Sequence, residues 1–400
     1  MEVKTATADQ ATQARRQHAR LRYGLVVVVL TTAGCFSTAT AQRTGNESAA
    51  SAPAAQWASV PRLNGRLRAS DIGLVINSND PYSVAVGEHY IRRRRLQPPQ
   101  VLRVALPSAA ALQPSEFEQL RSQINQHFGP ATQALALAWK TPYAVACNSI
   151  TGALALGFDA DLCNNGCSRS RLSPYFNAAT SRPYADLGWR PSMLLAAPSV
   201  QQARELIDRG ARADHTLARR NRAPVSVQLL LTDDAARSVR TALYPAAGAV
   251  PGAGVQIGVA LAAALPFAKR VLMVTTGAVA VDFTTRPDWV PGGLGDHLTS
   301  VGGALEGGHG QGTALDWIAA GATASHGTVS EPCNHLQKFP HPQLLLLHYL
   351  QGATALEAYW KSVAWPQQSL FIGEPLAAPF AAPFVLNARP LQGAPTPARH

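Results

Sequence analysis

A histidine and a cysteine in the last third of the chain are the residues best suited to covalent chemistry. His309 is followed by Gly310 in a loop, and Cys333 comes shortly after the predicted strand Ala322–Val329. A cysteine hydrolase requires a thiolate nucleophile and a histidine that accepts its proton, both held at neighbouring strand ends. Cys333 and His309 are therefore candidate catalytic residues. The alternative is that Cys333 is half of a disulfide, as is common in exported proteins.

The loop that contains His309 is rich in glycine and leads into the predicted helix Thr313–Ala320. Six of its eleven residues are glycines, at positions 302, 303, 307, 308, 310 and 312. The backbone N–H groups of such a loop, together with a helix N-terminus, can bind an anion or an oxyanion. We therefore predict that this edge binds a polar ligand, and a solvent-facing loop with tight turns is the alternative. The residues predicted to face the ligand are Gly308, Gly310, Glu331 and His335.

Three further cysteines lie in the middle of the chain. Cys147 follows the predicted strand Tyr143–Ala146, so it is a second candidate nucleophile at a strand end. Cys163 and Cys167 flank Asn-Asn-Gly, whose turn chemistry predicts a disulfide between them. A zinc site on the same pair would need two more ligands at similar spacing, so no metal is expected. The pairing of Cys147 stays open, as does that of Cys333.

No motif in the chain predicts a cofactor. The glycine-rich loop lacks the lysine of a phosphate-binding loop, and Gly252-Ala-Gly254 lacks the third glycine of a dinucleotide fingerprint. Asp282, Asp288 and Asp296 supply carboxylates before the loop, but their spacing defines no hydrolytic pair. The sequence therefore favours a site without cofactor or metal.

Composition excludes several classes of protein. The 400 residues are 46% hydrophobic and 15% charged, which is typical of a globular protein with a full core. The formal net charge is +11, but the run Arg92–Arg95 lies at the end of a predicted helix, where cations complement the helix dipole. Because aromatic residues do not alternate with these arginines, nucleic acid is not expected as a partner.

The N-terminal forty residues predict export. Arg15, Arg16, Arg20 and Arg22 precede a short apolar run, and Ala39-Thr40-Ala41 before Gln42 has the form that signal peptidase accepts. The run is about ten residues, too short to cross a membrane, so no membrane span is expected. Thr32-Ala33-Gly34-Cys35 resembles the end of a lipobox, which makes a lipid anchor at Cys35 the alternative. The predicted location is periplasmic or secreted.

The rest of the chain alternates strands with helices. We predict a signal peptide (1–41), a flexible lead-in (42–68), an α/β domain (69–385) with an irregular cysteine-containing insertion (147–197), and a loose tail (386–400). Strands such as Ile72–Asn77 and Val225–Leu231 alternate with helices such as the one from Ser199 to Ala213. This alternation predicts a mostly parallel sheet with helices on both faces. Parallel neighbouring strands need crossover connections, and the helices in those connections cover the sheet.

Several motifs resemble those of an uncharacterised family of exported bacterial proteins. They lie at 135–143, 147–151, 157–159, 173–176, 298–303, 321–323, 327–333, 357–360 and 371–376. The stretch from Gly321-Ala-Thr323 to Gly373-Glu-Pro-Leu376 is also distantly similar to the end of gingipain-type cysteine peptidases. That resemblance implies a caspase-like α/β fold.

The same resemblance implies where a catalytic pair would lie. In those peptidases a His-Gly pair ends one strand and the catalytic cysteine ends the next. Here the predicted strand Arg270–Thr275 ends in Thr276-Gly277, and the nucleophile region reads Leu298-Thr-Ser-Val-Gly-Gly303. The resemblance therefore implies a degenerate, non-catalytic binding or assembly protein with a polar ligand or protein partner. The alternative is a cysteine hydrolase that uses Cys333 or Cys147 with His309.

Overall fold

The fold is built on one large sheet. The computed structural model describes residues 57–218, 222–262, 267–307 and 309–382. The predicted signal peptide, Cys35, Gly308 and the predicted tail lie outside the described residues. Eleven strands form the sheet: β1 (Ile72–Asn77), β2 (Val101–Val104), β4 (Ala134–Leu137), β7 (Ser192–Leu194), β8 (Val225–Leu231), β9 (Gly248–Val250), β10 (Val255–Leu261), β11 (Val271–Thr276), β12 (Trp289–His297), β13 (Ala324–Thr328) and β14 (Ser369–Gly373). A small second sheet contains β3 (Ala111–Leu112), β5 (Ala144–Val145) and β6 (Asn148–Ser149).

The large sheet consists of two parallel halves that run in opposite directions. Its strand order is β2-β1-β4-β7-β14-β13-β12-β11-β8-β10-β9. The halves meet where β13 pairs antiparallel with β14, and only β9 at the edge is antiparallel within its half. The predicted α/β class with a mostly parallel sheet is thus confirmed. As a consequence, the carboxyl ends of β11, β12 and β13 lie at one edge, opposite to those of β1, β4 and β7.

Nine helices connect these strands within the described residues. They are α1 (Pro81–Arg94), α2 (Pro114–His127), α3 (Ile150–Leu156), α4 (Asp161–Asn164), α5 (Pro183–Leu187), α6 (Val200–Ala213), α7 (Ala314–Ala319), α8 (Pro342–Leu350) and α9 (Ala355–Ser362). Local sequence explains α6: the Ser199 side chain caps it by accepting from Gln202 N, and Ala203, Leu206 and Ile207 share its buried face. No helix in the described part of the chain has the length and apolar character needed to span a membrane.

The core lies between the helices and the sheet. All six residues of β1 are buried, which is typical of a parallel strand covered on both faces. Three tryptophans, Trp139, Trp317 and Trp360, are among the largest fully buried side chains. This core explains why continuous apolar runs in the sequence predict strands such as β1 and β8.

Three regions differ from the sequence-based prediction, one of which is the unpredicted pair of edge strands β9 and β10. The segment 147–197 is mostly irregular, as predicted, but it also contributes α3 and the central strand β7. The strand β12 was not predicted, because Pro291 and three glycines interrupt its sequence. Trp317 lies directly over one of them: a Cβ at Gly295 would be 2.3 Å from its ring. Glycine in this strand therefore reflects the close approach of a tryptophan, which local propensity cannot indicate.

Candidate functional site

A cavity of about 230 Å³ opens at the edge where β12 and β13 end. It lies between the loop that follows each of these strands and the segment that follows β8. Its lining residues are Ala236, Arg237, Leu298, Ser300, Glu331, Pro332, Cys333, Asn334 and Phe339. The predicted site residues Glu331 and Cys333 are among them, whereas His309, Gly310 and His335 are not. We call this space the edge cavity.

Hydrogen bonds within the segment that follows β13, and from it to other loops, hold this segment in place. The Glu331 carboxylate accepts from Cys333 N at 2.7 Å, and Gln368 Nε2 donates to the Glu331 carbonyl at 2.9 Å. Asn334 Nδ2 donates to Ala236 O at 3.3 Å, which joins the two walls of the edge cavity. Cys333 has a φ of 50°, so the chain turns sharply at this residue. The backbone of this segment is therefore well anchored before any ligand binds.

Both candidate nucleophiles are disulfide-bonded. Cys147 pairs with Cys163, and Cys167 pairs with Cys333, each pair with a Cα–Cα distance of 5.1 Å. A sulfur in a disulfide is not a thiolate, so neither Cys333 nor Cys147 is available as a nucleophile in this state. The alternative that the sequence left open for both residues, a structural disulfide, is what the structure contains.

The predicted Cys163–Cys167 disulfide is wrong. Cys163 lies in the helical turn α4, which ends at Asn164, and the Asn165 side chain then accepts from Cys167 N at 3.0 Å. This turn directs the two sulfurs toward different partners, because Cys163 meets Cys147 and Cys167 meets Cys333. The Asn-Gly turn is present, but it serves to separate the two side chains.

A buried lysine binds the loop between Cys163 and Cys167 to the edge of the sheet. Lys338 Nζ donates to Gly166 O at 2.5 Å, and burial lowers the pKa of Lys338 to about 8. A Cβ at Gly166 would lie 2.4 Å from the Glu331 carbonyl oxygen, so only glycine fits there. Ser330 Oγ also donates to Cys147 O at 2.6 Å. The loop between Cys163 and Cys167 therefore packs against the wall of the edge cavity.

The glycine-rich loop does not place His309 at a strand end. The strand β12 ends at His297, and His309 lies twelve residues later in an exposed loop. The N–H groups of Gly303, Gly312 and Ala314 donate to the carbonyls of Thr328, Val279 and Gly302. These N–H groups bind other parts of the chain rather than a ligand.

Tight packing explains the first two glycines of the loop. A Cβ at Gly303 would lie 2.7 Å from Gly327 O, and one at Gly327 would lie 2.2 Å from the carbonyl carbon of Gly302. The later Gly307 and Gly310 have φ values of 72° and 66°, which fit tight turns. The loop is thus a packed crossover with turns, close to the alternative that the sequence offered.

A buried ionic cluster that the sequence did not indicate lies on β12 and β13. Asp296 in β12 and His326 in β13 are register partners, and the Asp296 carboxylate forms an ion pair with Arg240. Arg240 Nη2 also donates to Thr276 O at 3.0 Å. Burial opposes the charged form of Asp296, but Arg240 and His326 outweigh it and hold the pKa of Asp296 below its usual value.

The position of this cluster makes it structural. Arg240, Asp296 and His326 are all buried, and none of them lines the edge cavity. Phe339, which does line it, has its ring 6.1 Å from that of His326. Burial lowers the pKa of His326, which favours the neutral ring. The sequence did single out Asp296 as a carboxylate, but the arginine that neutralises it is 56 positions away.

His297, at the end of β12, is also held by its surroundings. Trp317 Nε1 donates to His297 Nδ1 at 2.7 Å, and His297 Nε2 lies 2.8 Å from Gly312 O. Both ring nitrogens therefore have partners within the chain, and burial lowers the pKa of the ring. His335 lies near the edge cavity, with its ring 6.0 Å from that of Trp365.

Chemically, the edge cavity offers hydrogen bonds and charge rather than a nucleophile. Glu331, Arg237, Asn334 and Ser300 give it polar groups of both signs. The described residues contain no cluster of three or more His, Cys, Asp or Glu that could hold a metal ion.

No protein-family model matches this chain, and no curated protein is significantly similar to it.

Proposed function

We propose that the protein is an exported, non-catalytic binding or assembly protein on a caspase-like α/β scaffold, with the edge cavity as its binding site. One observation carries the proposal: all four cysteines in the described part of the chain are consumed in two disulfides. A cysteine hydrolase needs a free thiolate. Cys333, which lines the edge cavity, is instead bound to Cys167.

The arrangement of β11 and β12 supports this proposal. These strands are parallel neighbours, and under the resemblance to gingipain-type peptidases their ends are the two positions expected to carry the histidine and the cysteine. Leu298 N donates to Thr276 O at 3.0 Å, which brings the two positions together. The first end has Thr276-Gly277 in place of His-Gly, and the second, Leu298–Gly303, has no cysteine. The imidazole of His297, the last residue of β12, is bound by Trp317 and lies 2.8 Å from Gly312 O.

The disulfides also support export. Structural disulfides persist in oxidising compartments and are rare in the cytosol. A periplasmic or secreted location agrees with the predicted signal peptide and with cleavage before Gln42.

Thiol labelling of the secreted protein tests this proposal. Mass spectrometry should give Gln42 as the N-terminus, and iodoacetamide should modify no cysteine until the protein is reduced. A panel of peptide–coumarin substrates should show no hydrolysis above background. Two matched variants sharpen the test, because Cys167→Ala frees the Cys333 sulfur and Cys333→Ala frees the Cys167 sulfur.

The hydrolytic activities of the two variants distinguish a binding protein from a hydrolase. We expect neither variant to hydrolyse any substrate. If Cys333 is instead a nucleophile, Cys167→Ala will be active and Cys333→Ala inactive. That result, or a native Cys333 that iodoacetamide alkylates with loss of turnover, overturns the proposal.

A further inference from the structure

A second cavity, of about 290 Å³, contains three arginines. It lies where the segment before β1 meets the end of α1, the chain just after α6 and the chain just after β14. Its lining residues are Arg66, Leu67, Arg68, Ala69, Arg94, Asp214, Leu376 and Ala378. None of these residues lines the edge cavity, so the two sites can be tested independently. We call this space the arginine cavity.

Arg94 is held rigidly by two carboxylates. Its Nε and Nη2 donate to the two oxygens of Glu374 at 2.9 and 2.6 Å, and its Nη1 donates to Asp214 at 2.6 Å. The Arg94 side chain is 9% exposed and that of Glu374 is fully buried. The second oxygen of Asp214 accepts from Ala378 N at 3.1 Å. Both carboxylates that bind Arg94 are therefore already bound within the chain, and a third one, Glu357, accepts from Leu67 N at 3.1 Å.

Arg66 adds positive charge that these carboxylates do not neutralise. Within the described residues, no carboxylate lies at ion-pair distance from its guanidinium. Burial lowers the pKa of Arg66, and the neighbouring Arg68 and Arg94 add to this effect, whereas Asp214 and Glu357 oppose it. An anion beside Arg66 would relieve this repulsion between like charges.

We propose that the arginine cavity binds a small oxyanion, either a carboxylate or a phosphate group. The planar guanidinium fork matches both groups, because it donates two parallel hydrogen bonds to adjacent oxygens. Leu67, Leu376 and Ala378 form apolar walls, which reduce screening and so strengthen the attraction. The volume is at the lower limit of ligand pockets, so the ligand is small.

Isothermal titration calorimetry at low chloride tests this proposal, with inorganic phosphate and succinate as separate probes. At least one probe should bind with a Kd of about 1 mM or tighter. Arg66→Gln should weaken binding about tenfold or more, because it removes a charged donor. Arg62→Gln removes an exposed arginine from the same segment and serves as the matched control, with unchanged affinity.

The probes also distinguish the two chemistries. Binding of phosphate alone assigns the site to phosphorylated ligands, and binding of succinate alone assigns it to carboxylates. Arg66→Lys retains the charge but loses the fork, so it should bind more weakly than the wild type and more tightly than Arg66→Gln. Equal affinity of wild type and Arg66→Gln overturns the proposal, as does the absence of saturation by both probes at about ten times that Kd.

Discussion

At the scale of single residues, His348 in α8 makes the stability of the protein sensitive to acid. Its Nε2 lies 2.9 Å from Asn177 Oδ1, and the ring is buried. Burial, assisted by the nearby charge of Lys361, lowers the pKa of His348 to about 4. The unfolded chain binds this proton near pH 6.5, whereas the folded protein does not. The stabilisation is therefore complete above pH 6.5 and is lost as the pH falls toward 4.

We predict that this histidine accounts for a loss of about 2 kcal/mol in the free energy of unfolding between pH 7 and pH 5. Urea denaturation of His348→Gln should show a pH dependence that is weaker by this amount. His127→Gln removes an exposed histidine and should leave the wild-type pH dependence unchanged. The same slope in wild type and His348→Gln would contradict the prediction.

At the scale of elements, β12 depends on glycine to admit a tryptophan. Trp317 of α7 packs over this strand, and the three shortest contacts of a Cβ at Gly295 would all be with the Trp317 ring, at 2.3 to 3.1 Å. The same indole donates to His297 at the end of the strand. The orientation of α7 on the sheet is thus determined by one large side chain and one missing Cβ.

Gly295→Ala should therefore destabilise the protein by about 3 kcal/mol, since the ring cannot move without disturbing a packed core. The matched control is Gly258→Ala in β10, where the nearest atom to a new Cβ is 4.0 Å away. We expect that control to be neutral or to stabilise by about 0.5 kcal/mol. Chemical denaturation measures both, and equal effects of the two substitutions would refute this account of β12.

At the scale of the whole molecule, the two disulfides close loops of very different length. Cys147 and Cys163 are 16 positions apart, whereas Cys167 and Cys333 are 166 apart. The longer bridge joins the segment before β7 to the segment after β13, and these strands belong to opposite halves of the sheet. The longer bridge therefore removes more conformational entropy from the unfolded chain than the shorter one does.

We predict that the double substitution Cys167→Ala/Cys333→Ala lowers the free energy of unfolding by about 5 kcal/mol. The double substitution Cys147→Ala/Cys163→Ala should cost about 3 kcal/mol. Guanidinium denaturation compares them, and non-reducing peptide mapping identifies the pairs. A Cys163–Cys167 peptide in that map, or a larger loss for the shorter bridge, would contradict the assigned pairing.

The elements that the sequence predicted well are those with a strong local pattern. The bounds of β1 and β8 match the prediction to the residue, and the predicted α6 differs only by its capping Ser199. Each combines a continuous or periodic apolar run with a clear beginning or end. The missed strand β12 lacks such a run, since its buried positions include three glycines, and a Cβ at one of them, Gly295, would clash with Trp317.

By itself, the sequence determined the α/β class, the mostly parallel sheet and the presence of cysteines near its edge, because apolar periodicity and residue spacing are local properties. Only the tertiary structure decided which cysteines pair, which glycines are packed and which arginines share a cavity. Cys333 meets Cys167 across 166 positions, and Arg94 meets Glu374 across 280. Such contacts depend on how the two halves of the sheet are joined, and the spacing of residues along the chain does not indicate that arrangement.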